Sequence, residues 1–288
     1  MHTYSIYFIF FMKFSHILLL VPIATAFTGC NTVTSIQYPA ANVNKTLSVS
    51  SETTSHSKSV AGQHLIENTQ TTVSGQKNLS QSALGSGTFG LLGSMTAMAM
   101  DKSANHNAIK KSTLNQAIKF DKLLNTDLKT DIDRTLSPNI KMLEMNQASD
   151  IKITPYAHLS FEYKPKVLVS YGVVSEFLNA ANNNKKARRE YQFISKQNKY
   201  TLPELEANNN ALFTDGANKA FALMSQAIAY DINHNFSLNI FDEQKQRDCS
   251  NAYSFGVSFL KTPDNSCIGV EKDIKGNVIE STIFVTEQ

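Results

Sequence analysis

The chain has 288 residues, 42% of them hydrophobic, and a formal net charge of +3. That length admits one large domain or two small ones around a real apolar core, and the near-neutral balance excludes an electrostatic case for nucleic acid as a partner. Tryptophan is absent, so any platform for stacking sugars or bases would rest on Tyr or Phe.

The first eleven residues, Met1 to Phe11, carry no Lys or Arg, whereas Met12–Lys13 opens a basic start followed by the apolar run Phe14 to Phe27. A basic start, an apolar core of roughly 7–15 residues and a small-residue cleavage site make a secretory signal, so translation is expected to begin at Met12. Tyr4 to Phe27 also approaches the roughly 20 apolar residues of a transmembrane anchor. Lys13, His16 and Pro22 interrupt it, however, and a simple anchor has no use for the ending Thr28–Gly29–Cys30. The stretch Leu18 to Cys30 resembles the signal peptide of a bacterial lipoprotein, with Phe27 where that pattern usually has Leu.

The resemblance implies export, cleavage before Cys30 and acylation of Cys30 with palmitate-type chains, making membrane lipid a partner. Each buried CH₂ contributes about 0.8 kcal/mol, so several chains hold firmly. Asn31 stands where an Asp would signal inner-membrane retention, so the implied location is the outer membrane, with the domain facing either the periplasm or the exterior. Removing Met1–Gly29 leaves 259 residues and a charge of +2. With Cys30 acylated, two cysteines remain, Cys249 and Cys267. An even pair in an exported chain reads as a disulfide, whose loop is worth about 3 kcal/mol.

The rest of the tether region, residues 30–84, is rich in Ser, Thr, Asn and Gln and is expected to be flexible and polar. Thr46 to Ser50 alternates weakly, allowing one short strand. Gly85–Ser86–Gly87–Thr88–Phe89–Gly90 spells GxGxxG, but the preceding Asn78 to Leu84 is polar rather than a buried strand, so the dinucleotide fingerprint lacks its context. No cofactor is expected.

The run Phe89 to Met100 is apolar, uncharged and full of small residues. It is too short to span a bilayer and reads either as a buried core helix or as a self-association segment. In the second reading Gly90, Gly93, Ser94 and Ala97 let a neighbouring helix approach closely. Asn107 to Leu136 predicts one helix, with Leu114, Ala117, Ile118, Leu124, Leu128, Ile132 and Leu136 near one face. Asp131 and Asp133 read as solvated surface, and Pro138 ends the helix. Residues 85–148 thus read as a helical segment, with a helical hairpin from Gly85 to Leu136.

From residue 149 to residue 288 the texture is that of an α+β domain. Ile151–Tyr156, His158–Tyr163 and Lys166–Ser175 are β-patterned, Asn182–Lys186 turns the chain, and Ala187–Ser195 returns, which reads as an antiparallel meander. Thr201–Leu202–Pro203–Glu204 has capping-box spacing. The helix it starts is interrupted around Asn208–Asn210 and continues with Phe213, Ala217, Ala220, Phe221, Met224, Ala227, Ile228 and Tyr230 as a core stripe to about Ile232. Tyr253–Leu260, Cys267–Glu271 and Val278–Val285 are further strands, with Gly276–Asn277 as a hairpin signal. The expected fold is α+β: an N-terminal helical hairpin, then an antiparallel sheet packed on one long helix.

No catalytic or metal-binding set stands out. His56, His64, His106, His158 and His234 are well separated, and neither HExxH nor GxSxG occurs. Glu204 and Glu206 suit a helix start. Asp231 and His234 could join a distant Ser only through a geometry that order in the chain does not reveal. The expectation is therefore a non-enzymatic, lipid-anchored envelope protein that binds another envelope protein or itself. An envelope hydrolase acting on cell wall or lipid, and a carrier of a small apolar ligand, are the alternatives.

Overall fold

The computed structural model describes residues 36–52, 64–65, 69–75, 107–114, 119–134, 138–161, 166–195, 199–234, 257–261, 267–272 and 278–286. Cys30, Gly90, Gly93, Ser94, Ala97 and Cys249, with the GxGxxG run, lie outside them.

The elements in chain order are β1 (Lys45–Val49), β2 (His64–Leu65), β3 (Thr71–Gly75), α1 (Phe120–Arg134), β4 (Ile140–Met142), β5 (Ile151–Phe161), β6 (Lys166–Asn179), β7 (Lys185–Ile194), β8 (Lys199–Thr201), α2 (Leu202–His234), β9 (Val257–Lys261), β10 (Cys267–Lys272) and β11 (Val278–Thr286). The strands form one sheet in the order β2-β3-β5-β6-β7-β11-β10-β9, with β1 pairing β4 and β5 and with β8 pairing β6. The class is α+β, but the sheet is mixed, which corrects the expected antiparallel one. β1 runs parallel to β4 and β5, β3 to β5, and β11 to β7. A helix separates β3 from β5 and β7 from β11 in sequence. Such a crossover returns the chain to the same end of the sheet and makes parallel neighbours.

The expected meander is present as the antiparallel β5, β6 and β7. β5 is a single strand running straight through Pro155. Proline cannot donate to a ladder, and the topology removes the conflict. On one side of β5 its neighbour is β1 as far as Val49, opposite Ile153, and then β3 from Thr71, opposite Ala157. Pro155 faces the gap between them. Gln70 Nε2 bridges that gap by donating to the Ser50 carbonyl at 3.2 Å.

Within the expected tether, β1 and β3 are integral to the sheet, and Tyr38, Leu47, Val49 and Val73 are buried in the core. The flexible-tether expectation is therefore corrected for Ile36–Ser50 and for Gln70–Gly75. The polar residues that suggested a tether, Ser48, Thr72 and Ser74, are buried and hydrogen-bonded, for instance Ser48 Oγ to the Gln147 carbonyl at 2.7 Å.

The expected continuous helix over 107–136 is also corrected. A helical turn at 107–111 ends at Ser112, whose Oγ accepts from the Leu114 amide at 3.1 Å. That local bond competes with helix continuation. α1 then starts at Phe120, where Gln70 Oε1 accepts the Asp121 amide at 3.1 Å. Leu124, Leu128 and Ile132 are buried as expected. Asp131 is buried too, receiving a hydrogen bond from Ser225 of α2 and pairing with Arg134 at 2.5 Å. Its reading as solvated surface is corrected, whereas Asp133 is exposed.

α2 starts on the capping box. Glu204 Oε2 accepts the Thr201 amide at 2.6 Å and the Thr201 hydroxyl at 2.9 Å. These bonds, the amide first, hold the Glu204 carboxyl below its ordinary pKa. The predicted interruption is a break: Ala207 is extended, and Asn208, Asn209 and Asn210 are left-handed with φ of 51°, 57° and 63°. Asparagine tolerates that region better than other non-glycine residues. The break also docks the turn at 112–114, because Asn210 Oδ1 accepts from Thr113 Oγ1 at 2.7 Å.

Both helices pack on one face of the sheet, where Ile153, Leu159, Tyr171, Val173, Tyr191, Ile283 and Val285 meet Phe120, Phe213, Phe221 and Ile228. Gly216 lets α2 come close, since a Cβ there would lie 2.8 Å from the Tyr171 hydroxyl.

Candidate functional site

The most concentrated buried chemistry lies where α2 crosses β6 and β7. Ser175 and Arg189 are register partners, and Tyr191 lies two residues along β7, on the same face. Strand alternation sends all three toward α2, which supplies Asp231. Arg189 Nη1 donates to both Asp231 oxygens at 2.7 Å, and Tyr191 donates to Asp231 Oδ2 at 2.5 Å. The Tyr38 hydroxyl donates to Ser175 Oγ at 2.7 Å and lies 3.0 Å from the Tyr191 hydroxyl. Arg189 Nη2 donates to the Ile36 carbonyl. The Arg189 guanidinium also sits 5.4 Å from the Tyr38 ring centroid, and that ring stacks on Phe177 at 3.9 Å.

Every side chain of this network is buried. Burial drives Tyr38 and Tyr191 well above ordinary phenol values, with the Asp231 charge adding to it. For Arg189, burial works against the charge, but the adjacent Asp231 outweighs it and strengthens the guanidinium. The result is a locked ion pair with neutral phenols around it. Asp231 is fully engaged by Arg189 and Tyr191, so the imagined Asp231–His234 pairing with a Ser is not what its carboxylate does. The network fastens residues 36–38 across the sheet. Gln37 N donates to Asn179 Oδ1 at 3.0 Å, and Ala180 N to the Gln37 carbonyl at 3.1 Å.

The opposite face of the sheet carries a second polar layer that the sequence disguised as solvent-facing. Thr72, Ser74, Thr154, Tyr156, His158, Ser160, Glu190 and Thr282 are all buried there. His158 is held between Thr72 Oγ1, 2.7 Å from Nδ1, and Ser74 Oγ, 3.0 Å from Nε2. Ser74 in turn donates to Ser160 at 3.2 Å. Thr72 Oγ1 also donates to the Ala157 carbonyl at 3.3 Å. Tyr156 donates to Glu190, and Gln192 Nε2 donates to the same Glu190 oxygen at 3.2 Å. Burial, then the Glu190 charge, raises the Tyr156 phenol far above its ordinary value. The Tyr156 ring lies on Gly172, where a Cβ would meet it at 2.3 Å. Thr282 Oγ1, opposite Glu190, has no hydrogen-bond partner among the described residues.

Neither layer was foreseen in the sequence. Arg189 and Asp231 are 42 residues apart, and only the alternation of Arg189 and Tyr191 with flanking polar residues hinted at a shared face. Of the sequence-derived site residues, the structure describes Cys267. It is buried at the start of β10 and is disulfide-bonded. Among the described residues no three His, Cys, Asp or Glu side chains cluster for a metal, and no helix is long and apolar enough to cross a membrane. No family model, no curated protein and no solved structure matches the chain.

Proposed function

We propose that this is a lipid-anchored protein of the bacterial outer membrane, held through acylated Cys30, that binds another envelope protein or a second copy of itself and is not an enzyme. The observation that carries this reading is the ending Thr28–Gly29–Cys30 after an apolar core with a basic start. The buried Arg189–Asp231–Tyr191 and Tyr156–Glu190 groups support it, because they are spent on one another rather than aimed at a substrate. Cys249 is proposed as the partner of Cys267, as suits an oxidising compartment. Phe89–Met100 is proposed as the first arm of a helical hairpin, with Gly90, Gly93, Ser94 and Ala97 forming a helix–helix contact.

The test is in-cell cross-linking of the native-length protein, with membrane fractionation, palmitate labelling and mass spectrometry of captured proteins. Cys30→Ala is the control. Label on the wild type alone, with an envelope protein or a homodimer captured, supports the reading. An unlabelled, soluble wild type overturns the anchor, and a labelled but partnerless protein overturns the binding role.

A further inference from the structure

Resting on the Cys30 anchor, we infer that the folded domain sits directly on an anionic lipid surface, with the β6–β7 hairpin end of the sheet against the headgroups. The described residues begin at Ile36, whose carbonyl is held by buried Arg189, and Gln37 is bonded to Asn179 and Ala180 at the hairpin. Five residues lie between Cys30 and Ile36, and the six steps, at no more than 3.3–3.6 Å each, reach about 20 Å. So short a link keeps the folded domain close to the lipid, and the end of the sheet that receives the chain is the end nearest it.

That end has the chemistry for it. Leu47, Ile151, Phe177 and Ala187 share one register level across β1, β5, β6 and β7. Beyond that level lie Val43 and Leu178, each 49% exposed and two of the three large apolar side chains exposed among the described residues. Lys185 and Lys186 are exposed at the hairpin itself, where no acid occurs from Phe177 to Ala187, and the exposed acids Glu176 and Asp150 flank it. Lysines at this height are drawn to anionic headgroups, and single apolar side chains between them can dip into the interface. The third exposed apolar residue, Leu212, precedes Phe213, whose carbonyl receives the Tyr171 hydroxyl. Tyr171 is eight residues down β6 from Asn179, about 27 Å away.

The chain has no tryptophan, so one introduced indole is a clean reporter. Acylated full-length protein carrying Leu178→Trp, and separately Leu212→Trp, is placed in vesicles of phosphatidylethanolamine and phosphatidylglycerol with acyl chains brominated near the headgroup. The expected result is a blue-shifted, several-fold quenched emission for Leu178→Trp and none for Leu212→Trp. Adding Lys185→Glu and Lys186→Glu should relieve most of the quenching while leaving the melting temperature within a few degrees. Equal quenching at both positions, or none at position 178, in protein whose mass shows acylated Cys30 overturns the docking and leaves the anchor standing. Absence of the acyl mass overturns the anchor and the docking together.

Discussion

At the scale of single residues, the interior of this protein is unusual in how many polar side chains it keeps dry. Thr282 is an informative exception among the described residues, because its Oγ1 is buried without a partner opposite Glu190. An unmatched buried hydroxyl costs about 1–3 kcal/mol, whereas an apolar isostere removes the penalty. Thr282→Val is therefore expected to raise stability by about 1 kcal/mol in urea denaturation, and a loss of similar size would mean that the hydroxyl has a role in the fold. The Arg189–Asp231 pair predicts the opposite asymmetry. Asp231→Leu leaves a buried guanidinium uncompensated and is expected to cost about 3–5 kcal/mol. The double variant Arg189→Met, Asp231→Leu should recover much of that loss, as read by the same unfolding curves. Recovery short of full would report the contacts the double variant still lacks, from Arg189 to the Ile36 carbonyl and the Tyr38 ring and from Tyr191 to Asp231.

At the scale of elements, the sequence was legible where local chemistry decides. The capping box at Thr201–Glu204 and the break at Asn208–Asn210 were both readable, because a side chain three residues away and a tolerance for positive φ are local properties. Strand partners were not readable: period-2 alternation says which face a residue takes, never which strand lies alongside. The parallel neighbours of β5 and β7 were missed for that reason. β1 was legible only as one short strand allowed over Thr46–Ser50, and β3 was not legible, because Ser and Thr on a buried polar face look like Ser and Thr in a tether. The second polar layer around His158 and Glu190 was hidden in the same way.

The Asn break makes a sharp prediction. Asn209 is exposed with φ of 57°, so Asn209→Gly should change stability by less than about 0.5 kcal/mol, whereas Asn209→Val should cost about 1–2 kcal/mol through the left-handed backbone penalty. Thermal melts of the two variants separate the outcomes, and equal melts would mean that the break relaxes into helix.

The union of β1 with the start of β5 carries a pH signature. Asp150 accepts from the Thr46 hydroxyl and amide, each at 2.7 Å, and these bonds, the hydroxyl first, hold its carboxyl below the ordinary 3.8. A depressed folded-state pKa contributes stability that is fully present above 3.8 and is lost as pH falls through the folded value. Asp150→Asn should therefore be less stable than the wild type near neutrality by a small amount, as suits an exposed group. The gap should close below pH 3.8. A gap that persists in acid would show that the carboxylate charge is not what joins the strands.

For the whole molecule, three cysteines carry the decisive constraint. Cys267 is disulfide-bonded, and the chain offers only Cys30 and Cys249 as intramolecular partners. A lipid on Cys30 and a disulfide to Cys30 exclude each other, since both need the same sulfur. The proposed anchor therefore requires the Cys249–Cys267 pair, and the anchor can be tested without a membrane assay. Alkylation of the unreduced, unfolded mature protein followed by peptide mapping should label no cysteine, with the N-terminal peptide bearing the acyl mass. Reduction should then expose two thiols and lower stability by about 3 kcal/mol, the value of closing a loop of this length. If Cys249 is labelled before reduction and Cys30 is found joined to Cys267, the lipid anchor falls. With it falls the argument that the clamp at Ile36–Tyr38 holds the domain at a membrane. The clamp would then fasten a disulfide-closed N-terminus to its own sheet.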